Sequence, residues 1–221
     1  MPQDTVTRIA VIGAGRLGAA LAARCAKAGY DVIIGSRDVE RAARIAAELN
    51  DAIGSQHIRS AANVDAAGQA DIVVLATPYS AQRVTLEALR SALHGKILLT
   101  AVNALNAQNV RQVRLPAVSS AAEAQAQLGD DTRVVAAFQT VMSRILRDLD
   151  TPIESEALVA GNDADAKRQV MLLAEAIGLR AWDIGPIENA AAAETMAAVV
   201  MHLGAQHNSK IAGLRVTGIS T

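Results

Sequence analysis

Residues 8–18 read Arg8-Ile-Ala-Val-Ile-Gly13-Ala14-Gly15-Arg16-Leu17-Gly18, a short β-branched strand that runs into the pattern Gly-x-Gly-x-x-Gly. In this context Gly13 permits a tight turn, Gly15 lets the backbone approach a pyrophosphate, and Gly18 allows a helix to lie close to the strand. The free N–H groups at the start of that helix would point at an anion. The stretch therefore predicts a dinucleotide-binding loop that opens a parallel sheet.

The rest of the chain alternates short β-branched runs with longer helical patterns, which is typical of a parallel sheet with crossover helices. We expect an α/β fold, a doubly wound (Rossmann) mostly parallel sheet with a small C-terminal helical lobe. Residues 1–183 would form the nucleotide-binding domain and residues 184–221 a final helix and an arm. The expected strands are 8–12, 31–35, 57–59, 71–76, 96–102, 133–138, 156–160 and 180–183, and the expected helices are 17–28, 39–49, 80–93, 120–128, 163–177 and 189–206. Residues 106–119 are the least regular and would form a loop over a site.

The composition excludes several classes of protein. The chain has 221 residues, 51% of them hydrophobic, and a formal net charge of -1. These values do not fit a disordered chain or a basic, nucleic-acid-coating surface. No apolar run has the length of a membrane span, and the N-terminal residues lack the layout of a signal peptide. The single cysteine, Cys25, fits a reducing compartment, so we expect a cytoplasmic protein with no metal site, no nucleic-acid partner and no membrane contact.

The end of the second strand indicates which dinucleotide is bound. An NAD enzyme would carry an acidic residue there for the ribose 2′-hydroxyl. The chain reads Gly35-Ser36-Arg37-Asp38, with Arg41 one helical turn further on. A hydroxyl and two guanidinium groups suit a 2′-phosphate. Asp38 follows the strand and is expected to cap the next helix, so the pattern favours NADP over NAD.

Two further strand ends are expected at the same edge of the sheet. Thr77 and Pro78 follow the fourth strand and Asn103 follows the fifth, where ligands of open α/β sheets bind. Thr77-Pro78 fits a simple turn about equally well. The four histidines are scattered, and no arrangement typical of a serine, cysteine or metal hydrolase is present. We therefore assign no catalytic acid, base or nucleophile.

The last helix, residues 189–206, is apolar nearly all round. Such a helix is buried on several sides, and little chain remains to cover it. A partner subunit in a homodimer is the favoured cover, with burial inside its own subunit as the alternative.

Five motifs, at residues 13–18, 35–37, 134–140, 183–189 and 212–218, resemble the NADPH:F420 oxidoreductases, a family whose fold is similar to the N-terminal domain of 6-phosphogluconate dehydrogenase. The resemblance spans essentially the whole chain. It implies hydride transfer between NADP(H) and the deazaflavin coenzyme F420, both bound in one cleft. The C-terminal helix and arm would complete the acceptor site. The residues that it implies for coenzyme binding are Gly13, Ala14, Gly15, Arg16, Leu17, Gly18, Ser36, Arg37, Arg41, Thr77, Pro78, Asn103 and Ser143 toward NADP, with Gln139 and Val141 beside the reacting rings and Asn189 on the deazaflavin side.

One residue departs from that family pattern. Gln139 stands where the family usually has histidine, and a glutamine can donate a hydrogen bond but cannot titrate. This leaves an NADPH-dependent flavin or ferric reductase open as an alternative. A non-catalytic NADP(H) sensor is a further alternative from a different class of protein. β-Hydroxyacid dehydrogenases and imine reductases are poor interpretations, because they need a large helical domain that this chain is too short to supply.

Overall fold

An eight-stranded sheet forms the centre of the computed structural model, which describes residues 7–105 and 118–219. Its strands are Arg8–Ile12 (β1), Asp31–Ser36 (β2), Ile58–Ala62 (β3), Ile72–Leu75 (β4), Ile97–Thr100 (β5), Arg133–Ala136 (β6), Ala157–Gly161 (β7) and Ala181–Asp183 (β8). Their order is β3-β2-β1-β4-β5-β6-β7-β8. All neighbours pair in parallel except β6 and β7, which are antiparallel. The predicted doubly wound, mostly parallel sheet is confirmed.

The helices lie between the strands, as the sequence pattern predicts. They are Arg16–Lys27 (α1), Val39–Ile53 (α2), Asn63–Gly68 (α3), Tyr79–Leu93 (α4), Ser120–Leu128 (α5), Ser143–Arg147 (α6), Ala164–Ala176 (α7) and Ala190–Gln206 (α8), with a 3-10 turn at Ile187–Asn189. The sequence pattern did not predict α3 and α6, because six and five residues are too few to show helical periodicity. Most of the predicted loop 106–119 lies outside the described residues.

Apolar side chains cover both faces of the sheet. Along β1, Ile9 and Val11 join a cluster with α1, α2 and α7, whereas Ala10 and Ile12 join a cluster with α3, α4 and α5. This alternation follows from the period of two along a strand. Many of the buried helix residues are alanines, whose small size lets the helices lie close to the sheet.

A buried arginine ties the first helix to two later ones. Arg24 of α1 donates to the carbonyl oxygens of Leu146 at 3.0 Å and Ile177 at 3.4 Å, and to that of Asp148. These carbonyls lie at the C-terminal ends of α6 and α7, where no intrahelical donor reaches them. Burial lowers the pKa of Arg24, against the raising effect of the Asp148 charge. The contact fixes α6 beside α1.

Beyond α8, the C-terminal arm lies against the start of β7. Glu156 holds it at the start of β7: its N–H donates to Leu214 O at 2.8 Å, and its carboxylate accepts from the Val216 N–H at 2.7 Å and from Trp182 Nε1 at 2.8 Å. Burial raises the pKa of Glu156, but these two donors and the charge of Arg180 outweigh it, and the net shift is downward. The arm is therefore fixed to the sheet by a buried carboxylate.

Candidate functional site

Five parallel strands bring their carboxyl ends to one edge of the sheet. The register places one residue of each strand in a single row: Gly35 of β2, Ile12 of β1, Leu75 of β4, Thr100 of β5 and Ala136 of β6. From β1 the chain continues to β2 and β3 on one side of β1, and β4 and β5 lie on its other side. The crossover connections therefore run in opposite directions on the two sides of the gap between β1 and β4. Ligands of open α/β sheets bind at such a switch point.

Three glycines of the predicted dinucleotide loop, residues 13–18, have different roles. Gly13 has φ +116°, and a Cβ there would lie 2.7 Å from Ala76 O. A Cβ at Gly18 would lie 1.9 Å from Gly13 O, so this glycine is needed for the helix to lie against the turn. A Cβ at Gly15 would meet no protein atom within 4 Å. The space above Gly15 is therefore open to a ligand.

The start of α1 faces that same space. Gly15 is the N-cap of α1, and no side chain caps the helix. The first N–H groups, around Arg16 and Leu17, therefore have no intrahelical acceptor. Ala14 and Leu17 pack against the apolar cluster below, which fixes the backbone of the loop. A helix start of this kind is a site for an anion.

The end of β2 presents two free cations. Arg37 and Arg41 are exposed, and neither guanidinium forms a hydrogen bond or ion pair with a residue that the structure describes. Asp38 caps α2 by accepting from the Arg41 N–H at 2.9 Å through Oδ1. Ser36 Oγ accepts from the Asp38 N–H at 3.1 Å. The predicted cap is confirmed, and both arginine charges are available to an anion.

Three unpaired polar atoms lie just beyond β4, β5 and β6. Thr77 Oγ1, Asn103 Oδ1 and Gln139 Oε1 are buried and have no hydrogen-bond partner among the described residues. The amide nitrogens are used: Asn103 Nδ2 donates to Gln139 O at 3.2 Å, and Gln139 Nε2 donates to Thr100 O at 2.9 Å. An unpaired buried polar atom costs about 1–3 kcal/mol. Three of them in adjacent loops indicate a polar ligand.

The residue before Gln139 has a strained backbone. Phe138 has φ +73° and its side chain is buried. A left-handed conformation costs a residue with a side chain about 1–2 kcal/mol. Such strain is concentrated at functional sites. Val141, three residues after Phe138, is also buried. Its N–H donates to Phe138 O at 3.1 Å, and this hydrogen bond closes a turn that fixes Gln139.

The remaining predicted residues have two different surroundings. Pro78 is the N-cap of α4, directly after Thr77. Ser143 begins α6 and lines a cavity of about 680 Å³ together with Arg16. Asn189 ends the 3-10 turn before α8, and its amide donates to Ile184 O in its own loop. The structure therefore places Ser143 beside the glycine loop, but it shows no hydrogen bond from Asn189 to another predicted site residue within the described ranges.

A buried glutamate that the sequence analysis missed lies next to these loops. Glu194 of α8 is 0% exposed and accepts from the Ala104 N–H at 3.2 Å. Its other oxygen lies 2.7 Å from Ser120 Oγ, and this hydroxyl lies 2.9 Å from Val102 O. Glu194 thus joins α8 to the end of β5 and to the start of α5. A single acid in an apolar helix was the signal in the sequence.

The hydrogens around Ser120 favour a neutral Glu194. A hydroxyl has one hydrogen and cannot donate to both the carboxyl group and the Val102 carbonyl. A protonated Glu194 that donates to Ser120 Oγ satisfies both contacts. Burial raises the pKa of Glu194 from its ordinary value of 4.5, against the lowering effect of the backbone N–H groups of Ala104, Ala121 and Ser120.

The substitution Glu194→Gln tests this protonation. Because the folded pKa is raised, the folded state keeps a proton that the unfolded chain releases above about pH 4.5, and wild-type stability falls as the pH rises through that range. Glutamine has no such proton. We expect the Tm of E194Q, relative to wild type, to increase by a few degrees between pH 4.5 and 7.5, measured by calorimetry. The exposed Glu188→Gln is the control, and a constant difference for E194Q would contradict the argument.

Two classes of feature are absent from the part of the chain that the structure describes. No group of three or more histidine, cysteine, aspartate or glutamate side chains is placed to hold a metal ion there. None of the helices described is long and apolar enough to cross a membrane.

The lone Cys25 is buried, which raises the pKa of its thiol to about 12.

Known proteins share both the sequence and the fold. Residues 8–104 match the family model described as NADP oxidoreductase, coenzyme F420-dependent. The F420-dependent NADP reductase of Methanothermobacter thermautotrophicus is 37% identical over 97% of this chain and 96% of that protein. The enzyme of the same name from Methanocaldococcus jannaschii is 35% identical over 96% and 99%.

A solved structure agrees with these sequence relatives. A protein of Arthrobacter sp. FB24, assigned as an F420-dependent NADP reductase, superposes with a TM-score of 0.83 at 27% identity, covering 96% of this chain and 99% of its own. Both the order of the elements and the total length therefore correspond. The matches span nearly the entire chain, and the protein belongs to the family of F420-dependent NADP reductases.

Proposed function

We infer that the protein is an NADP-dependent oxidoreductase that transfers hydride between NADP(H) and coenzyme F420. The observation that carries this conclusion is the similarity over nearly the full length to F420-dependent NADP reductases. A match confined to the glycine loop would indicate only a nucleotide. Here the match at 35–37% identity covers 96–97% of the chain, so it extends far beyond the glycine loop.

The residues at the sheet edge fit NADP. The N–H groups of residues 15–17 would hold the pyrophosphate, because Gly15 leaves open space above them. Arg37 and Arg41, with Ser36, would hold the 2′-phosphate, since both guanidinium groups lack a described partner. The nicotinamide carboxamide has two N–H donors, and the unpaired oxygens of Asn103 and Gln139 are acceptors near the same edge. Thr77, Pro78 and Ser143 complete that end of the site.

The chain supplies binding and orientation rather than acid–base chemistry. When bound, NADPH and the deazaflavin supply the hydride donor at nicotinamide C4 and the acceptor at deazaflavin C5. Hydride transfer between two rings that lie about 3–3.5 Å apart needs no proton donor. Gln139 and Val141, set by the turn after Phe138, would fix the rings and exclude water. Two of the described histidines pair with aspartates that precede or begin a strand, His57 with Asp31 and His94 with Asp131, and His202 and His207 are exposed.

Turnover with different acceptors tests this function. Purified protein is mixed with NADPH and either F420, FMN or Fe(III). The loss of the absorbance band of reduced nicotinamide is followed over time. Oxidation with F420 alone is the expected result. Oxidation with FMN or Fe(III) and not with F420 would indicate a flavin or ferric reductase, and tight NADPH binding without oxidation by any acceptor would indicate a sensor.

The region after β8, residues 184–221, completes the acceptor side of the site and joins two subunits in a homodimer. Supporting this, α8 buries one face against its own subunit through residues such as Ala193 and Ala197, but leaves an apolar stripe exposed. The stripe consists of Met196, Val199 and Leu203, which are 41%, 43% and 47% exposed. Their spacing of three and four residues places them on one side of the helix.

The substitution Val199→Asp is expected to convert a dimer into a monomer. A carboxylate in the middle of an apolar interface loses its water without gaining a partner, which opposes association. Light scattering at micromolar concentration measures the mass. Leu172→Asp is the control, because Leu172 is a similarly exposed apolar residue on α7. A wild-type monomer under these conditions would contradict the homodimer.

The remaining expectations concern location and other partners. A cytoplasmic location is supported by a buried, unpaired Cys25 and by the intracellular coenzymes that the proposed reaction uses. The net charge of -1 gives no basis for binding nucleic acid. Both stay proposals, which fractionation and a binding assay with DNA would test.

A further inference from the structure

A cavity of about 680 Å³ opens beside the glycine loop, and its walls come from both halves of the chain. Arg16 contributes from the start of α1, and Met142 and Ser143 from the start of α6. Met201 and Ala205, near the end of α8, line it from the other side. None of the lining residues belongs to β2 or α2, which carry Arg37 and Arg41. The cavity therefore extends the cleft away from the end that fits the 2′-phosphate.

Four cations line this cavity, and no acid does. Arg16, Arg144, Arg147 and Lys210 all contribute to the wall. None of these four side chains has a hydrogen bond or ion pair to another residue of the described ranges. Like charges around one space repel one another, and an anion placed among them relieves that repulsion. The charge pattern thus matches a ligand with several negative groups.

The nearest acids do not neutralise these cations. A neighbouring cavity of about 850 Å³ shares Arg144 and Arg147 and also has Asp148 and Glu154 in its wall. The Asp148 carboxylate already accepts from the Thr151 hydroxyl at 2.8 Å and from the Thr151 N–H at 3.1 Å. Hydrogen bonds from Thr151 lower the pKa of Asp148, and neither Asp148 nor Glu154 forms an ion pair with Arg144 or Arg147. The excess of positive charge on the glycine-loop side remains.

We propose that this cavity, the anion cavity, binds the tail of the deazaflavin coenzyme, a chain that carries phosphate and carboxylate groups. The inference rests on the proposed function for the identity of the ligand. Met142 and Ser143 follow closely on Gln139 and Val141, so a ring beside those residues would have its tail directed into the anion cavity. Arginine suits phosphate and carboxylate oxygens through paired, charge-assisted hydrogen bonds, and Lys210 adds a point charge.

The double substitution Arg144→Ala with Lys210→Ala tests the proposal by kinetics. Both side chains lie in the anion cavity and neither belongs to the glycine loop. We expect kcat/KM for F420, divided by kcat/KM for a deazaflavin that lacks the tail, to fall about tenfold. Arg168→Ala is the matched control, because it removes an exposed arginine of α7 that pairs only with Asp165 at 3.2 Å. An unchanged ratio in the double variant would overturn the proposal.

A titration with inorganic tripolyphosphate separates this proposal from the proposed function. In calorimetry at saturating NADP⁺, we expect tripolyphosphate to bind the wild type. We expect it to bind the double variant at least fivefold more weakly. This readout needs no turnover, so it decides the anion cavity even if F420 fails to oxidise NADPH. Equal binding by both proteins would overturn the proposal. A Kd for NADPH that rises as much as the KM for F420 would also overturn it, since the cations would then serve the NADP pyrophosphate.

Discussion

Replacing Arg37 with alanine is expected to weaken the binding of NADPH about 100-fold and to leave the binding of NADH nearly unchanged. Hydrogen bonds to a charged group contribute about 1.5–3 kcal/mol, and a guanidinium group that forms two of them to a 2′-phosphate accounts for this factor. NADH lacks that phosphate, so the loss does not affect it. The exposed side chain of Arg37 has no partner among the described residues, and its removal leaves the fold intact.

Fluorescence titration of both nucleotides measures the two Kd values. Arg37→Lys keeps the charge but loses the planar fork, so we expect an intermediate loss for NADPH. Arg168→Ala again serves as the control, since it removes an exposed arginine elsewhere. Equal losses for NADPH and NADH in R37A would show that the 2′-phosphate lies at another place.

Replacing Gly15 with alanine is expected to abolish tight binding of NADPH without destabilising the protein. The backbone of Gly15, with φ -83° and ψ -176°, is an ordinary extended conformation that alanine adopts freely. Its Cβ would meet no protein atom within 4 Å, so the fold does not change. The added methyl group would instead occupy the space into which the pyrophosphate must come. We expect a loss of roughly 100-fold or more in affinity, since phosphate contacts with the helix start become too long.

Gly18→Ala is the matched comparison in the same loop. A Cβ at Gly18 would lie 1.9 Å from Gly13 O, which forces the turn and α1 apart. This variant should lose both nucleotide affinity and several degrees of Tm, whereas G15A should keep its wild-type Tm. Calorimetry and NADPH titration of both variants give the two results. A large drop in Tm for G15A, or full NADPH affinity in that variant, would contradict the assignment of the open space.

Local sequence patterns predict the part of the site that is local in the chain. The strand, the glycine loop and the helix start are consecutive, and Asp38 caps α2 through a residue three positions away. Their geometry follows from short-range rules of φ, capping and periodicity. The same holds for Arg37, whose position is fixed by the end of β2. These elements needed no knowledge of the tertiary structure.

Contacts between distant segments could not be predicted in this way. Glu194 bonds Ala104 and Ser120, which are far away along the chain, and α8 shows only a nearly uniform apolar pattern around it. The reversal of β7 against β6 is similar, because periodicity gives the faces of a strand but not its direction. Lys210 joins the anion cavity only because the arm returns to α1. Such contacts depend on packing that sequence periodicity does not contain.

The residues proposed to lie around the rings form an intermediate case. Their position after β5 and β6 follows from the pattern of strands, but the role of Gln139 came from the resemblance to a family. The structure adds a physical reason for that role, since an unpaired oxygen on a buried amide lies beside a strained Phe138. Nothing in the sequence shows which rotamer the amide adopts.

The anion cavity also has a consequence for the order in which the site is made. Arg16 and Lys210 line the same cavity but are 194 positions apart, so Arg16 leaves the ribosome long before Lys210. The glycine loop and the first strands are therefore made before α8 and the arm exist. The proposed wall for the second coenzyme is therefore complete only after α8 and the arm have been synthesised.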